Sequence, residues 1–241
     1  MLGIQFQIHF VNQVNSTNNY LKSLPAQNGL VVYSAYQTAG RGQANSVWES
    51  EVNKNLLCSI LFEFNKVPVE QQAYINMAVS IALQQVVFKL AQTKCYIKWP
   101  NDIYINNRKI AGILIENSIQ GENIKQTVVG IGLNVKQTHF FNKNAISLNN
   151  IINTPFEIEE VLNVLLEELS MAYENIKAGK WDEIIETYNA HLFRKHETSY
   201  FTINNQMVLG QIDSVNKQGL LEVLIGQTVQ LFAHKEIGMI I

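Results

Sequence analysis

From Val69 to Ala91 the chain reads as a helix that is apolar nearly all round. Such a helix offers no face to water and has to be buried. Short apolar runs of strand length surround it in the sequence. Leu56 to Phe62 is continuous and suits a central strand covered on both faces. Ile103 to Ile105 and Ile110 to Ile115 flank Asn106-Asn107 and read as a hairpin, since Asn tolerates the positive φ of a tight primed turn. Val128 to Val135 is a strand interrupted by Gly130 and Gly132, and Leu30 to Tyr33 is a short one. Ile4, Phe6, Ile8 and Phe10 alternate with polar residues, the pattern of a half-buried strand. With 47% apolar and 16% charged residues among 241, a sizeable core is expected.

Asn15-Ser16-Thr17 offers cap residues for a short helix over Asn18 to Leu24, which Pro25 closes. Lys136 to Asn153 is rich in Asn and reads as a loop. Thr154-Pro155-Phe156-Glu157 has the form of a capping box with Pro at the first helical position. Ile158, Val161, Leu162, Leu165, Leu169, Ala172, Tyr173 and Ile176 then form an amphipathic face, stopped by Gly179, and Trp181 to Leu192 reads as a further helix. Beyond Arg194-Lys195-His196 short β-like runs alternate with turns, predicting a small β-barrel-like appendage. The expected class is α+β: a mixed β-sheet backed by helices over 1–194, then a small all-β domain over 195–241.

A net charge of −2 argues against a general nucleic-acid or anionic-membrane binder. No run is expected to span a membrane, and the N-terminal stretch lacks the basic-then-apolar form of a signal peptide. Cys58 and Cys95 lie in apolar strand-like surroundings and are expected to be reduced, buried thiols of a cytoplasmic protein. Without a Cys/His cluster at ligand spacing no structural zinc is expected. The five histidines, His9, His139, His191, His196 and His234, are read as structural or surface residues.

Four polar clusters stand at strand ends or between strands, where sites tend to form. Asn15 to Asn18 is either an N-cap or a set of hydroxyls and amides for a polar ligand end. Gln37-Thr38-Ala39-Gly40-Arg41-Gly42-Gln43, running on to Trp48, is either a surface loop or a ligand lid. Its glycines let backbone approach an anion while Arg41 forks onto it. It is neither the dinucleotide fingerprint nor a P-loop. Lys98-Trp-Pro-Asn101-Asp102, with Arg108-Lys109, is either a turn plus a solvated hairpin tip or a site for a metal–phosphate group and a developing charge. In Gly130-Ile131-Gly132-Leu133-Asn134 the glycines mark either a β-bulge or close backbone approach to a ligand.

Taken in order, Ser16-Thr17-Asn18, Gln37 to Gly42, Lys98 to Asp102, Arg108 to Glu116 and Gly130 to Asn134 resemble the biotin–protein ligase family. The resemblance runs from about residue 5 to the C-terminus, and Lys-Trp-Pro-Asn-Asp with the following Arg-Lys-x-x-Gly is its most specific part. It implies a class II synthetase/biotin ligase-like catalytic domain and a two-step ATP-dependent ligation. Biotin's carboxylate attacks the α-phosphate of ATP, giving biotinyl-adenylate and pyrophosphate. A lysine of a biotin carboxyl carrier domain then takes the biotinyl group and releases AMP. By resemblance, Lys109 and Arg41 are catalytic. Ser16, Thr17, Asn18, Gln37, Gly40, Arg41, Gly42, Gln43, Lys109, Gly112 and Gly130 serve biotin. Arg41, Trp48, Asn101, Asp102, Lys109 and Asn134 serve the nucleotide, and Asp102 serves magnesium through phosphate. Cationic groups placed between two anions answer the repulsion that such a reaction has to overcome. The Gly40 to Trp48 loop is expected to order on binding and exclude water.

Two departures from the family pattern stand out. Gln43 to Ser46 replace a second basic residue and glycine, with Asn45 able to supply a left-handed conformation. Ser16 also comes too early to leave room for a helix-turn-helix, so no operator binding is expected. The rival readings are a lipoate or octanoate transferase and a non-catalytic biotin- or nucleotide-binding module. Monomer and homodimer both stay open.

Overall fold

The structure is a computed structural model that describes residues 3–43, 46–152 and 155–241. The capping threonine read at Thr154 and the left-handed Asn45 lie outside the described residues.

Seven strands form the main sheet in the order β1-β2-β3-β7-β6-β5-β4. They are β1 Gln7–Val14, β2 Leu30–Gln37, β3 Asn55–Pro68, β4 Tyr96–Lys98, β5 Asp102–Ile105, β6 Arg108–Gln120 and β7 Asn123–Asn134. Only β1 and β2 pair parallel, so the sheet is mixed, as expected. The parallel pair needs a crossover, and α1 (Thr17–Ser23) supplies it.

Central strands β3 and β7 are covered on both faces. On one side α2 (Gln72–Ala91) and α3 (Ile158–Lys177) pack against Cys58, Ile60, Phe62, Val129, Ile131 and Leu133. On the other, α1 seats Leu21 among Leu30, Val32, Leu61 and Val128. By length and composition the 23-residue segment Val69–Ala91 is able to cross a membrane, contrary to the expectation that no run could. It lies instead in the core, enclosed by sheet, α3 and α4 (Trp181–Ala190).

Three expectations need correction. The N-terminal strand is an edge: it starts only at Gln7, and Ile8 and Phe10 are exposed while Ile4 and Phe6 pack on the core ahead of it. The box at the start of α3 joins Glu157, the N-cap, to Glu160, so Glu157 stands outside the helix rather than inside its first turn. The C-terminal strands β8 (Thr198–Ile203), β9 (Gln206–Val215), β10 (Leu221–Ile225), β11 (Thr228–Phe232) and β12 (Ile237–Met239) form an open antiparallel sheet in the order β11-β10-β9-β8-β12. No pairing joins β11 to β12 among the described residues, so the barrel does not close. Its inner side chains Phe201, Ile212, Val223 and Ile237 merge with the main core.

Both cysteines are buried and free. Burial pushes the Cys58 thiol far above the usual range, and pushes Cys95 up to about 12 against a weaker hydrogen bond from Gln84. Almost no thiolate then exists at pH 8. A thiol-reactive disulfide reagent at pH 8 should label neither cysteine in the folded protein and both after denaturation. Rapid labelling of the native protein would contradict this burial.

Candidate active site

Register explains why Lys109 and Gly112 share a face. Three residues apart on a regular strand they would point to opposite sides. Tyr104 pairs with Lys109 but Ile103 pairs with Ala111, so Ile110 is an extra residue, a bulge. Ile110 and Ala111 are both fully buried in the core, and the Lys109 Nζ returns to the side of Gly112. The bulge considered for the glycines thus sits at Ile110 instead, while Gly130 and Gly132 lie in an unbroken ladder.

Those glycines form a trough. Gly112 pairs directly with Gly132, and Gly130 pairs with Leu114 on one side and Ser59 on the other. A Cβ on Gly132 would lie 2.4 Å from the Trp48 indole, one on Gly112 3.1 Å from it, and one on Gly130 2.2 Å from Asn18 Oδ1. The missing side chains therefore let an aromatic ring and an amide lie against bare backbone.

Above the trough is a cavity of about 250 Å³. At one end α1 and the end of β2 bring Ser16, Thr17, Asn18 and Gln37 to its wall. Ser16 occupies the N-cap position of α1, yet its hydroxyl makes no capping bond, so the side chain is not committed to the helix. Gln37 Oε1 accepts from the Thr17 N–H (2.8 Å) and hydroxyl (3.0 Å). At the other end Lys109 Nζ lies 2.6 Å from Asp102 and 5.4 Å from the centre of the Trp48 ring. Lys98, paired across from Asp102, stands 5.6 Å over the Tyr104 ring. Burial lowers its pKa, with Lys109 acting the same way and Asp102 opposing.

Over this end, the described residues that follow β2 bond to one another. Trp48 N–H donates to Gly40 (3.0 Å), Gly42 N–H donates to Ser46 (2.7 Å), and Arg41 bridges Val47. Arg41 lines the cavity and its guanidinium reaches Asn19 Oδ1 at 2.5 Å. Gly42, Gln43 and Trp48 also line the cavity, and the Gln43 Oε1 and Trp48 Nε1 atoms are buried without a partner among the described residues.

Two expected residues stand back from the cavity. Gly40 is buried against Trp48, where a Cβ would be 3.1 Å from the Trp48 carbonyl oxygen. Asn134 follows Gly132 on the same face but sits behind the wall, its amide donating to Ile146 at 3.0 Å and its Oδ1 buried without a partner among the described residues. Asn101 does line the cavity, yet its Nδ2 is already committed to the Ile113 carbonyl. Arg108 is exposed at the hairpin tip, as expected.

The C-terminal sheet contributes a wall that the polar clusters of the sequence do not signal. Phe201, Leu221, His234, Ile237 and Met239 line the cavity with Trp99, whose indole donates to Gly219 (3.0 Å). His234, read as structural or surface, is a wall residue 6.1 Å from Trp99, ring centre to ring centre. Its pKa is lowered by burial and by Lys235 and Lys98, against Asp102. No local motif announces this, because the approach is set by packing between two sheets. The described residues contain no group of three His, Cys, Asp or Glu side chains placed to hold a metal.

A mixed sheet with a glycine trough, a hydrogen-bonding row at one end and two lysines with a carboxylate at the other forms a site that suits an elongated ligand with an anionic end. A family profile places the chain more closely. Residues 10–134 match the biotin/lipoate A/B protein ligase family, and the chain belongs to that family. It is 33% identical over 124 residues to the bifunctional ligase/repressor BirA of Escherichia coli, covering 51% of this chain and 38% of that protein. It is 31% identical over 140 residues to a biotin–[acetyl-CoA-carboxylase] ligase of Mycobacterium tuberculosis, covering 54% and 50%. The matches thus span about two fifths to one half of those relatives' lengths. In fold it resembles the biotin protein ligase from Aquifex aeolicus in complex with biotin and ATP, with a TM-score of 0.81 at 21% identity over 96% of this chain and 97% of that one.

The trough makes a direct prediction. In a variant whose other two tryptophans are Phe (Trp99→Phe, Trp181→Phe), Gly132→Ala should expel the Trp48 indole, red-shifting emission and increasing iodide quenching. Overpacking of this kind costs about 1–3 kcal/mol. Gly238→Ala, with nothing within 4 Å, should change neither readout. Unchanged emission in Gly132→Ala would contradict the packing of Trp48 on bare backbone.

Proposed function

We propose that this protein is an ATP-dependent biotin–protein ligase, which forms biotinyl-5′-adenylate and transfers the biotinyl group to a lysine of a biotin carboxyl carrier domain. One observation carries the reading: a single cavity joins a hydrogen-bonding row at Thr17, Asn18 and Gln37 to a cationic end at Lys109 and Arg41. The row suits the polar head of biotin, the glycine trough its ring and valeryl chain, and the cationic end its carboxylate beside the α-phosphate. There Lys109 offsets the repulsion between the anions and stabilises the charge that develops as they meet. Trp48, with Arg41, Gly42, Gln43 and Ser46, covers the reacting atoms and excludes water.

Magnesium fits only as an ion carried on phosphates. Asp102 is one carboxylate, already paired with Lys109, and magnesium commonly takes one or two carboxylates with substrate phosphates and water. Asn134 stands behind the cavity wall and is not assigned to the ion. We assign the nucleotide to the Asp102, Lys109 and Trp48 side, and the catalytic domain to 1–194 with 195–241 closing the cavity. The need for ATP and the two free thiols are consistent with a cytoplasmic protein. A lipoate or octanoate transferase shares the family, but an acyl chain would leave the hydrogen-bonding row without a polar partner.

Biotin with MgATP should support exchange of labelled pyrophosphate into ATP, whereas octanoate and lipoate should not. Lys109→Ala should slow exchange by about 10²–10³-fold, the usual cost of losing a group that stabilises developing charge. Exchange driven by octanoate or lipoate instead of biotin would overturn the substrate assignment. Biotin binding without exchange would favour a binding module.

A further inference from the structure

Ser59 lies on β3, wholly buried and behind the cavity wall, where a strand between two sheet neighbours ordinarily carries an apolar side chain. Its hydroxyl stands 2.7 Å from Thr17 Oγ1 and 2.6 Å from Asn18 Oδ1. The Thr17 hydroxyl in turn stands 3.0 Å from Gln37 Oε1. Four oxygens therefore form a row: Gln37, Thr17, Ser59, Asn18.

Both ends of the row are fixed as acceptors. Gln37 presents Oε1 because that atom also takes the Thr17 N–H at 2.8 Å. Asn18 presents Oδ1 because its Nδ2 donates to Glu116 Oε2 at 2.7 Å, while Lys22 holds Glu116 Oε1 at 2.6 Å. Burial tends to raise the Glu116 pKa, but the bonds from Lys22 and Asn18 and the Lys22 and Arg41 charges bring it below its ordinary value. An ionised Glu116 cannot accept a flipped Asn18 amide that turns oxygen toward it. Between these acceptors stand two hydroxyls with one proton each. Three oxygen–oxygen contacts share two protons, so the row is one proton short.

We propose that Ser59 is a positioning residue that makes this end of the cavity select a ligand group that donates N–H bonds. It holds Thr17 Oγ1 and Asn18 Oδ1, on two residues of the cavity wall, where each oxygen keeps a lone pair for an outside donor. The inference rests on the ligase reading: the urea of biotin brings two N–H donors, and a fatty acyl chain or dithiolane brings none. It extends that reading to a side chain that touches no ligand. An acceptor-rich row also disfavours any ligand whose end only accepts, because like partners face each other with no proton between them.

The test compares wild type and Ser59→Ala by calorimetric titration with biotin and by pyrophosphate exchange. Ser59→Ala should raise the Kd and KM for biotin about tenfold, the scale of one lost hydrogen bond. kcat and the KM for ATP should stay within about twofold. A folded Ser59→Ala that binds biotin as wild type does, or one that loses kcat and ATP affinity in the same proportion, overturns the inference and leaves the ligase reading standing. Wild type that binds no biotin overturns both. A second measurement needs no variant: two cyclic carbamate analogues of biotin, each with oxygen in place of one ring N–H. Wild type should bind at least one of them about tenfold more weakly than biotin, and equal affinity for biotin and both carbamates overturns the inference even if Ser59→Ala does not fold.

Discussion

A sheet buried on both faces can hold a ligand only where side chains are left out of it. Here Gly112, Gly132 and Gly130 leave them out on one face of β6 and β7, while Ile113, Ile131 and Val129 keep the other face packed against the helices. The trough exposes backbone without interrupting the β6–β7 ladder at Gly112, Gly130 and Gly132. The other site elements take their place from it. Asn18 lies over Gly130, Trp48 over Gly132 and Gly112, and the Lys109 ammonium stands 3.0 Å from where a Gly112 Cβ would be.

The Ile110 bulge sets the electrostatics. By turning Lys109 onto the cavity face it places that lysine against Asp102 and near Lys98, a desolvated cation with no ion pair among the described residues. Two lysines and one carboxylate leave net positive charge in a site walled by Trp99, Phe193 and the inner face of the C-terminal sheet. Low-dielectric walls strengthen the field that such a site offers an anion. The C-terminal sheet is thereby a wall of the site and part of the core, since its inner side chains join the main hydrophobic cluster.

Much of this was legible in the residues. Leu56 to Phe62 and Val69 to Ala91 were readable because continuous apolar runs have few ways to avoid water. The polar clusters were readable because hydroxyls, amides and charges beside apolar strands need partners. What stayed hidden depends on pairing between distant segments. The bulge follows from how β6 meets β5 and leaves no local mark beyond the spacing of Lys109 and Gly112. The alternation at Ile8 and Phe10 signalled a strand but not an exposed edge, because burial depends on what packs above it. His234 and Ser59 each owe their setting to a second element, β12 and α1 respectively. Short β runs likewise cannot say whether a sheet closes, and here it does not.

The proposed reaction joins a carboxylate to the α-phosphate of ATP in one enclosed site. Its most direct test is to incubate the protein with biotin and MgATP, remove free ligand by rapid gel filtration, and identify what stays bound by native mass spectrometry. One biotinyl-adenylate per chain should be retained in wild type and be absent in Lys109→Ala. Biotin and intact ATP bound side by side in wild type, with no adenylate formed, would contradict it.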